Sequence, residues 1–218
     1  MAWPEPGITT SCACGIWAAR IHVWRGDLPR AARLVETFLP RARRHAVIQQ
    51  LGPALVVAGL VETASGRPGA GADYATEFCE LTDDTRAYRH MEIADVVRLL
   101  VAASRPEDAQ VASANDVILT IRNQCHSLTA EAVLAAAAEA PDAADRFDAA
   151  AERWRTYGHP LETELAVVAA AALREGGPAR GVDVPPGVSA ASVAALCPVP
   201  GVATSSRPIR NQLARPSS

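Results

Sequence analysis

The sequence predicts an all-α fold: an α-solenoid of about four and a half helical hairpins, with a disordered C-terminal tail. Three observations predict it. Hydrophobic residues make up 49% of the 218 residues but aromatic ones only 5%, so Ala, Val and Leu carry the apolar content; close-packed helices suit that mixture better than a sheet does. Apolar residues also recur at helical spacing. Phe147, Ala150, Ala151 and Trp154 fall at i, i+3, i+4 and i+7, with Asp145, Arg146, Asp148, Glu152, Arg153 and Arg155 on the other face. Finally, breaks at Gly26, Gly66, Ser104, Ala138 and Gly176 are spaced by 40, 38, 34 and 38 residues, the period of a repeat built from two helices.

Residues 1–12 contain Pro4, Pro6 and Gly7 and read as a flexible lead-in. The repeat domain spans residues 13–176, with seven to nine helices and no sheet expected. Its first helix starts near Ala13 and runs through Trp17, Ile21 and Trp24 to Arg25-Gly26-Asp27. The second has Pro29 at its start, turns Ala32, Val35, Phe38 and Leu39 inward, and ends in Arg41-Ala42-Arg43-Arg44-His45, a run that complements the helix dipole. Pro53 to Ala64 and Gly69 to Leu81 form the next hairpin, with Tyr74 and Phe78 as apolar knobs. A helix from Arg86 to Ala103 follows, then one from Glu107 to about Arg122. Ser127 or Thr129 is read as the cap of an Ala-rich helix, Ala130 to Ala140. Pro141 opens the helix that places Phe147 and Trp154 in the core. Pro160 to Glu175 closes the series before Gly176-Gly177-Pro178.

A small residue recurs five positions after each of the first four breaks: Ala31, Gly71, Ala109 and Ala143. At that place it lets the two helices of a hairpin approach closely. Residues 177–218 hold seven of the 16 prolines and few large apolar side chains, so they read as disordered, with one or two helical turns at Ser189 to Leu196.

The formal net charge is −3, and all 21 basic residues are Arg. That balance argues against a general nucleic-acid binder, and no direct nucleic-acid contact is expected. Residues 1–60 carry 7 Arg against 3 acids and residues 61–100 carry 4 against 8, an asymmetry that allows subunits to dock. Cys12, Cys14, Cys79, Cys125 and Cys197 are odd in number and irregular in spacing, which is no disulfide framework. The start lacks a basic region, and the longest apolar run, Leu165 to Leu173, is nine residues, where a bilayer span needs about 20. A cytoplasmic protein without membrane contact is expected.

No catalytic, cofactor or metal site emerges. Cys12-x-Cys14 has no second pair at zinc spacing, Cys125-His126 stands alone, and His90-Met91-Glu92 lacks a second histidine. No Ser lies in a GxSxG turn. Glu77/Glu80 and Glu92/Asp95 read as helix-face pairs and Asp83/Asp84 as a cap. Gly66-Arg67-Pro68-Gly69-Ala70-Gly71 has no strand before it and reads as a hairpin turn.

The 34–40 residue period with small-residue hairpins resembles tetratricopeptide-like repeats. More narrowly, AADRFDAAAERWRTYGHPLETELAVVAAAALRE looks like the last repeats in the MalT-like helical region of bacterial LuxR-type ATPase regulators and ATPase-linked adenylate/guanylate cyclases. The likeness covers about residues 13–176. The chain departs from those families in having no GxxxxGK[ST] and no helix-turn-helix. The resemblance implies a non-catalytic interaction or regulatory scaffold of a signalling or transcription-regulation system. Its partner would be a protein or peptide in the concave groove, such as an ATPase or cyclase module. The alternative it leaves open is a regulator fragment without its DNA-binding domain, or the regulatory tail of a cyclase. Arg20, Trp24, Leu60 and Arg98 are the candidate groove residues, with Ala94, Ala102 and Ala136 along an apolar trough that suits an amphipathic helix or an acidic-apolar peptide. Replacing Arg98 by Glu is expected to weaken partner capture and spare the fold.

Overall fold

The computed structural model describes residues 6–45, 47–114, 120–175 and 187–199. Every regular element among them is helical: α1 Pro6–Trp24, α2 Leu28–His45, α3 Ile48–Ala64, α4 Pro68–Leu81, α5 Arg86–Arg89, α6 Ile93–Ala102, α7 Pro106–Ser113, α8 Ile121–Ala137, α9 Ala143–Tyr157, α10 Pro160–Glu175 and α11 Ala190–Leu196. None of these helices is long and apolar enough to cross a membrane.

One turn geometry is used five times. Gly26, Gly66, Ser104, Glu139 and Gly158 all have φ between +53° and +87°. At each, the N–H of the next residue reaches back five positions: Asp27 to the His22 carbonyl, Arg67 to Glu62, Arg105 to Leu100, Ala140 to Ala135 and His159 to Trp154. This is the Schellman ending, which satisfies the last carbonyls of a helix through one left-handed residue. A proline follows within three residues in every case. Pro68, Pro106 and Pro160 are the first helical residue and Pro29 the second, whereas Pro141, expected to open its helix, lies before the Asp142 N-cap of α9.

The turns fold the chain back on itself, so α1 packs on α2, α3 on α4, α6 on α7, α8 on α9 and α9 on α10. α1, α3, α6 and α8 also lie side by side in order. α2 packs on α1 and α3, α4 on α3 and α6, α7 on α6 and α8, and α9 on α8 and α10. α3 and α4 approach closely. A Cβ on Gly71 would stand 2.9 Å from the Gly59 carbonyl oxygen and collide with the Thr63 hydroxyl. The small residue expected after the second break therefore lets two backbones meet. Ala31, Ala109 and Ala143 are buried at the matching places.

Four sequence expectations need correction. The helix expected from Ala13 starts at Pro6, because proline suits the first helical position; residues 1–5 of the lead-in lie outside the described residues. The single helix expected over Arg86–Ala103 is interrupted at His90–Glu92, giving ten helical segments before Gly176 among the described residues. Arg89 lies at the interruption. Its guanidinium donates to the Thr82 hydroxyl at 3.1 Å and to the Cys79 carbonyl at 2.7 Å, tying this turn to the end of α4. The Ala-rich helix begins at Ile121, capped by Thr120, whose hydroxyl accepts the Asn123 N–H at 3.1 Å. Ser127 and Thr129 are buried inside it.

The fourth correction concerns the tail. Residues 177–186 and 200–218 lie outside the described residues; α11 falls where one or two helical turns were expected, but 187–199 pack against the core. α11 packs on α3, α6 and α1 and buries Val193, Leu196, Cys197 and Val199. Ser189 N–H donates to the Trp24 carbonyl at 2.8 Å, and the Ser192 hydroxyl donates to the Val23 carbonyl at 2.6 Å. These are end carbonyls of α1, which have no partner within their own helix.

Candidate functional site

The inner faces of α1, α6 and α10 carry charge where a core is normally apolar. Glu92 and Asp95 lie at the start of α6, Arg98 lies one turn further on, and all three are buried. Arg98 donates to Asp95 at 2.9 Å and to both oxygens of Glu162 in α10, at 3.3 and 2.8 Å. Arg20 of α1 donates to Glu92 at 3.2 Å and pairs with Asp95. Burial by itself would raise the Glu162 carboxyl, but the Arg98 guanidinium overrides it and holds the group at about 2. Arg98 is likewise kept charged by Glu162 against the opposing effect of its burial. A buried charge is tolerable only when paired and hydrogen-bonded; every charge in this cluster has an opposite partner across three helices, while Arg98 Nε has no hydrogen-bond partner among the described residues.

Beside the cluster lies a recess of about 310 Å³. Trp17, Arg20, Ile21 and Trp24 form one wall, a single stripe of α1 at i, i+3, i+4 and i+7. Arg122 and His126 come from α8, Trp154 and Tyr157 from α9, and His159, Leu161 and Glu162 from the turn into α10. Trp154 anchors the recess. Its indole N–H donates to the Thr129 hydroxyl at 2.9 Å, and His126, His159 and Tyr157 stand edge-on around it at 5.0, 5.3 and 5.9 Å. Burial lowers His126 to about 3 and also lowers His159, in both cases against the attraction of Glu162. Both rings are therefore neutral at pH 7. The Glu162 N–H donates to Nδ1 of His159 at 3.3 Å, so the His159 proton sits on Nε2. Neither nitrogen of His126 has a hydrogen-bond partner among the described residues.

The four sequence candidates separate. Arg20 and Trp24 line the recess. Leu60 does not: it is 0% exposed, in α3, which α1, α2, α4, α6 and α11 pack around. Ala94 and Ala136 are buried as well, and α11 takes up the inner space beside α3 and α6 that was expected to be an open trough. Arg98 is 3% exposed and committed to Asp95 and Glu162. Exchange for Glu would set a third carboxylate between those two, so that substitution is a stability change and not a probe of binding. Sequence reasoning missed Trp17, Arg122, His126, Tyr157 and His159. The α1 stripe was legible from spacing alone. The helix expected from Glu107 to about Arg122 stops at Ser113, and Arg122 and His126 both belong to α8, which starts before the expected Ala130.

Among the described residues, no three His, Cys, Asp or Glu side chains converge as a metal site. Together these features define an all-helical protein in which a buried ion cluster backs an aromatic recess. No family model, curated protein or solved structure matches the chain.

Proposed function

We propose that this chain is a non-catalytic interaction module of TPR-like stacked hairpins, the scaffold or sensor part of a bacterial signalling or transcription-regulation system. In this reading the α1–α8–α10 face docks an acidic-apolar segment of a partner protein. The observation that carries it is the mouth of the recess. Trp17, Ile21 and Tyr157 are 52%, 48% and 43% exposed and surround one opening. Large apolar side chains scattered singly mean little, but several rimming a single concavity mark an interaction site. Arg122 at the same opening has no carboxylate partner among the described residues, which favours an acidic partner. Support also comes from α1, α3, α6 and α8 lying side by side with α2, α4, α7 and α9 packed across them, as stacked repeats do, with left-handed breaks at Gly26, Gly66, Ser104 and Glu139. The carboxylates at the site are held by arginines, an arrangement suited to structure more than to acid–base exchange.

A photo-crosslinking residue at position 17, introduced in the parent cells, tests the docking face. The captured protein is then purified and its affinity measured. The reading expects the Trp17→Ala/Ile21→Ala variant to bind at least about tenfold more weakly with an unchanged melting temperature. Capture of no protein, or equal affinity of variant and wild type, would contradict it.

A further inference from the structure

We infer that the interior of the recess, behind the docking rim, binds a small free apolar monocarboxylate of the aromatic or branched-chain type. The size is the first argument. A space of about 310 Å³ lies at the lower end for small-molecule sites and holds roughly ten non-hydrogen atoms, one ring or branched chain with its acid group. It cannot admit a helix. The walls are the second argument: Trp24, Trp154 and Leu161 offer flat or apolar surface.

The polar groups select the head group. His126 is only 4% exposed, lines the recess, and has no hydrogen-bond partner on either nitrogen among the described residues. A buried imidazole left in that state is unfavourable, and an arriving polar group relieves it. His159 carries its proton on Nε2, because Nδ1 accepts the Glu162 N–H. Arg122 contributes a forked set of donors. Glu162, by contrast, is already engaged by two nitrogens of Arg98, and Arg20 by Glu92 and Asp95. Among the described residues, the one uncommitted charge at the recess is therefore positive, and its neighbours supply donors. That set fits a carboxylate and does not fit an amine. The aromatic walls separate it from a bare phosphate site.

The test uses the purified full chain and its own tryptophans, since Trp17, Trp24 and Trp154 all line the recess. Isovalerate, isocaproate and phenylacetate are titrated separately, alongside phenylacetamide, phenethylamine and inorganic phosphate. At least one of the three acids should change the emission saturably and raise the melting temperature. Phenylacetamide, phenethylamine and phosphate should bind at least tenfold more weakly than the best acid. Arg122→Gln should weaken that acid at least tenfold with the unliganded melting temperature unchanged. His126→Phe, which fills the recess and removes its polar edge, should also lose binding. The inference is overturned if no acid saturates at millimolar concentration, if the amide or amine binds as tightly, if phosphate alone binds, or if Arg122→Gln binds like wild type. No partner protein is present in this titration, so its failure is a result separate from failure of the docking reading.

Discussion

The α3–α4 contact and the α1–α6–α10 interior are both buried, yet they are held together in opposite ways. α3 buries eleven of its 17 residues, none of them charged, and meets α4 through two glycines whose backbones nearly touch. The α1–α6–α10 interior instead joins its helices through Arg20, Glu92, Asp95, Arg98 and Glu162. Shape alone fixes the first region, and a small error in side-chain volume is felt there at once. The second tolerates no missing member, because each charge is buried on condition that its partner stays. The recess belongs to the second region, where donors remain unused beside a completed ion cluster.

The largest effect should come from breaking that cluster. Glu162→Gln removes the carboxylate that accepts two Arg98 donors and should destabilise the fold by about 3–5 kcal/mol in denaturant titration. Because Glu162 is held at about 2, below its ordinary value of 4.5, its contribution is complete above pH 4.5. It is lost as the pH falls through 2, so the variant's deficit should shrink in acid. A loss below about 1 kcal/mol at neutral pH would mean that the cluster is dispensable.

His126 gives a second, smaller handle on the same region. Burial lowers it from 6.5 to about 3. Between those values the unfolded chain binds a proton that the folded chain refuses, so stability falls on acidification by up to about 1.4 kcal/mol per pH unit. Glu162, Arg122, Arg20 and Arg98 all act on this ring, and His159 titrates in the same sense. His126→Phe should therefore reduce the slope of stability against pH below about 6.5 without abolishing it. An unchanged slope would place the ring in water.

Much of the fold was legible because backbone needs leave marks in sequence. Gly26 and Gly66 announced left-handed turns, and the prolines after them announced the next helix. Ser104 carried the same signal more weakly, and Glu139 carried none, so the break there was placed one residue early. Thr120 was passed over as a cap because Ser127 and Thr129, polar residues before an alanine run, looked like better ones; Thr129 is in fact the acceptor for Trp154. The site was harder to read. Leu60 looked inward-facing, but the stretch Ala54–Val61 around it is apolar on every side, and periodicity cannot say which face of such a stretch is free. Arg98 stood out on an apolar helix, yet its partner Glu162 is 64 residues away, a pairing that no local pattern encodes. The charge of α1 was visible, but its destination was not.

On the apolar side, Gly71→Ala should cost about 1–3 kcal/mol through overpacking against Gly59 and Thr63, and should leave ligand binding at the recess intact. A neutral result would show that α3 and α4 can separate freely. The smallest expected effect is a gain. Ser104 and Glu139 are non-glycine residues at φ +59° and +53°, so Ser104→Gly and Glu139→Gly should each raise stability by a few tenths to about 1 kcal/mol. Destabilisation by both would show that the turn geometry is not what limits those positions.

The central claim is that one arginine at this site frames the fold while another is free to bind, and thermal unfolding of two parallel variants tests it most directly. Arg98→Gln strips Glu162 of its partner and leaves Asp95 with Arg20 alone. For a chain of this size a loss of about 3–5 kcal/mol lowers the melting temperature by roughly 6–20 °C. Arg122→Gln, which disturbs no ion pair among the described residues, should shift it by less than about 2 °C. Equal shifts, or a larger one at Arg122, would contradict the division of the site into frame and binding surface.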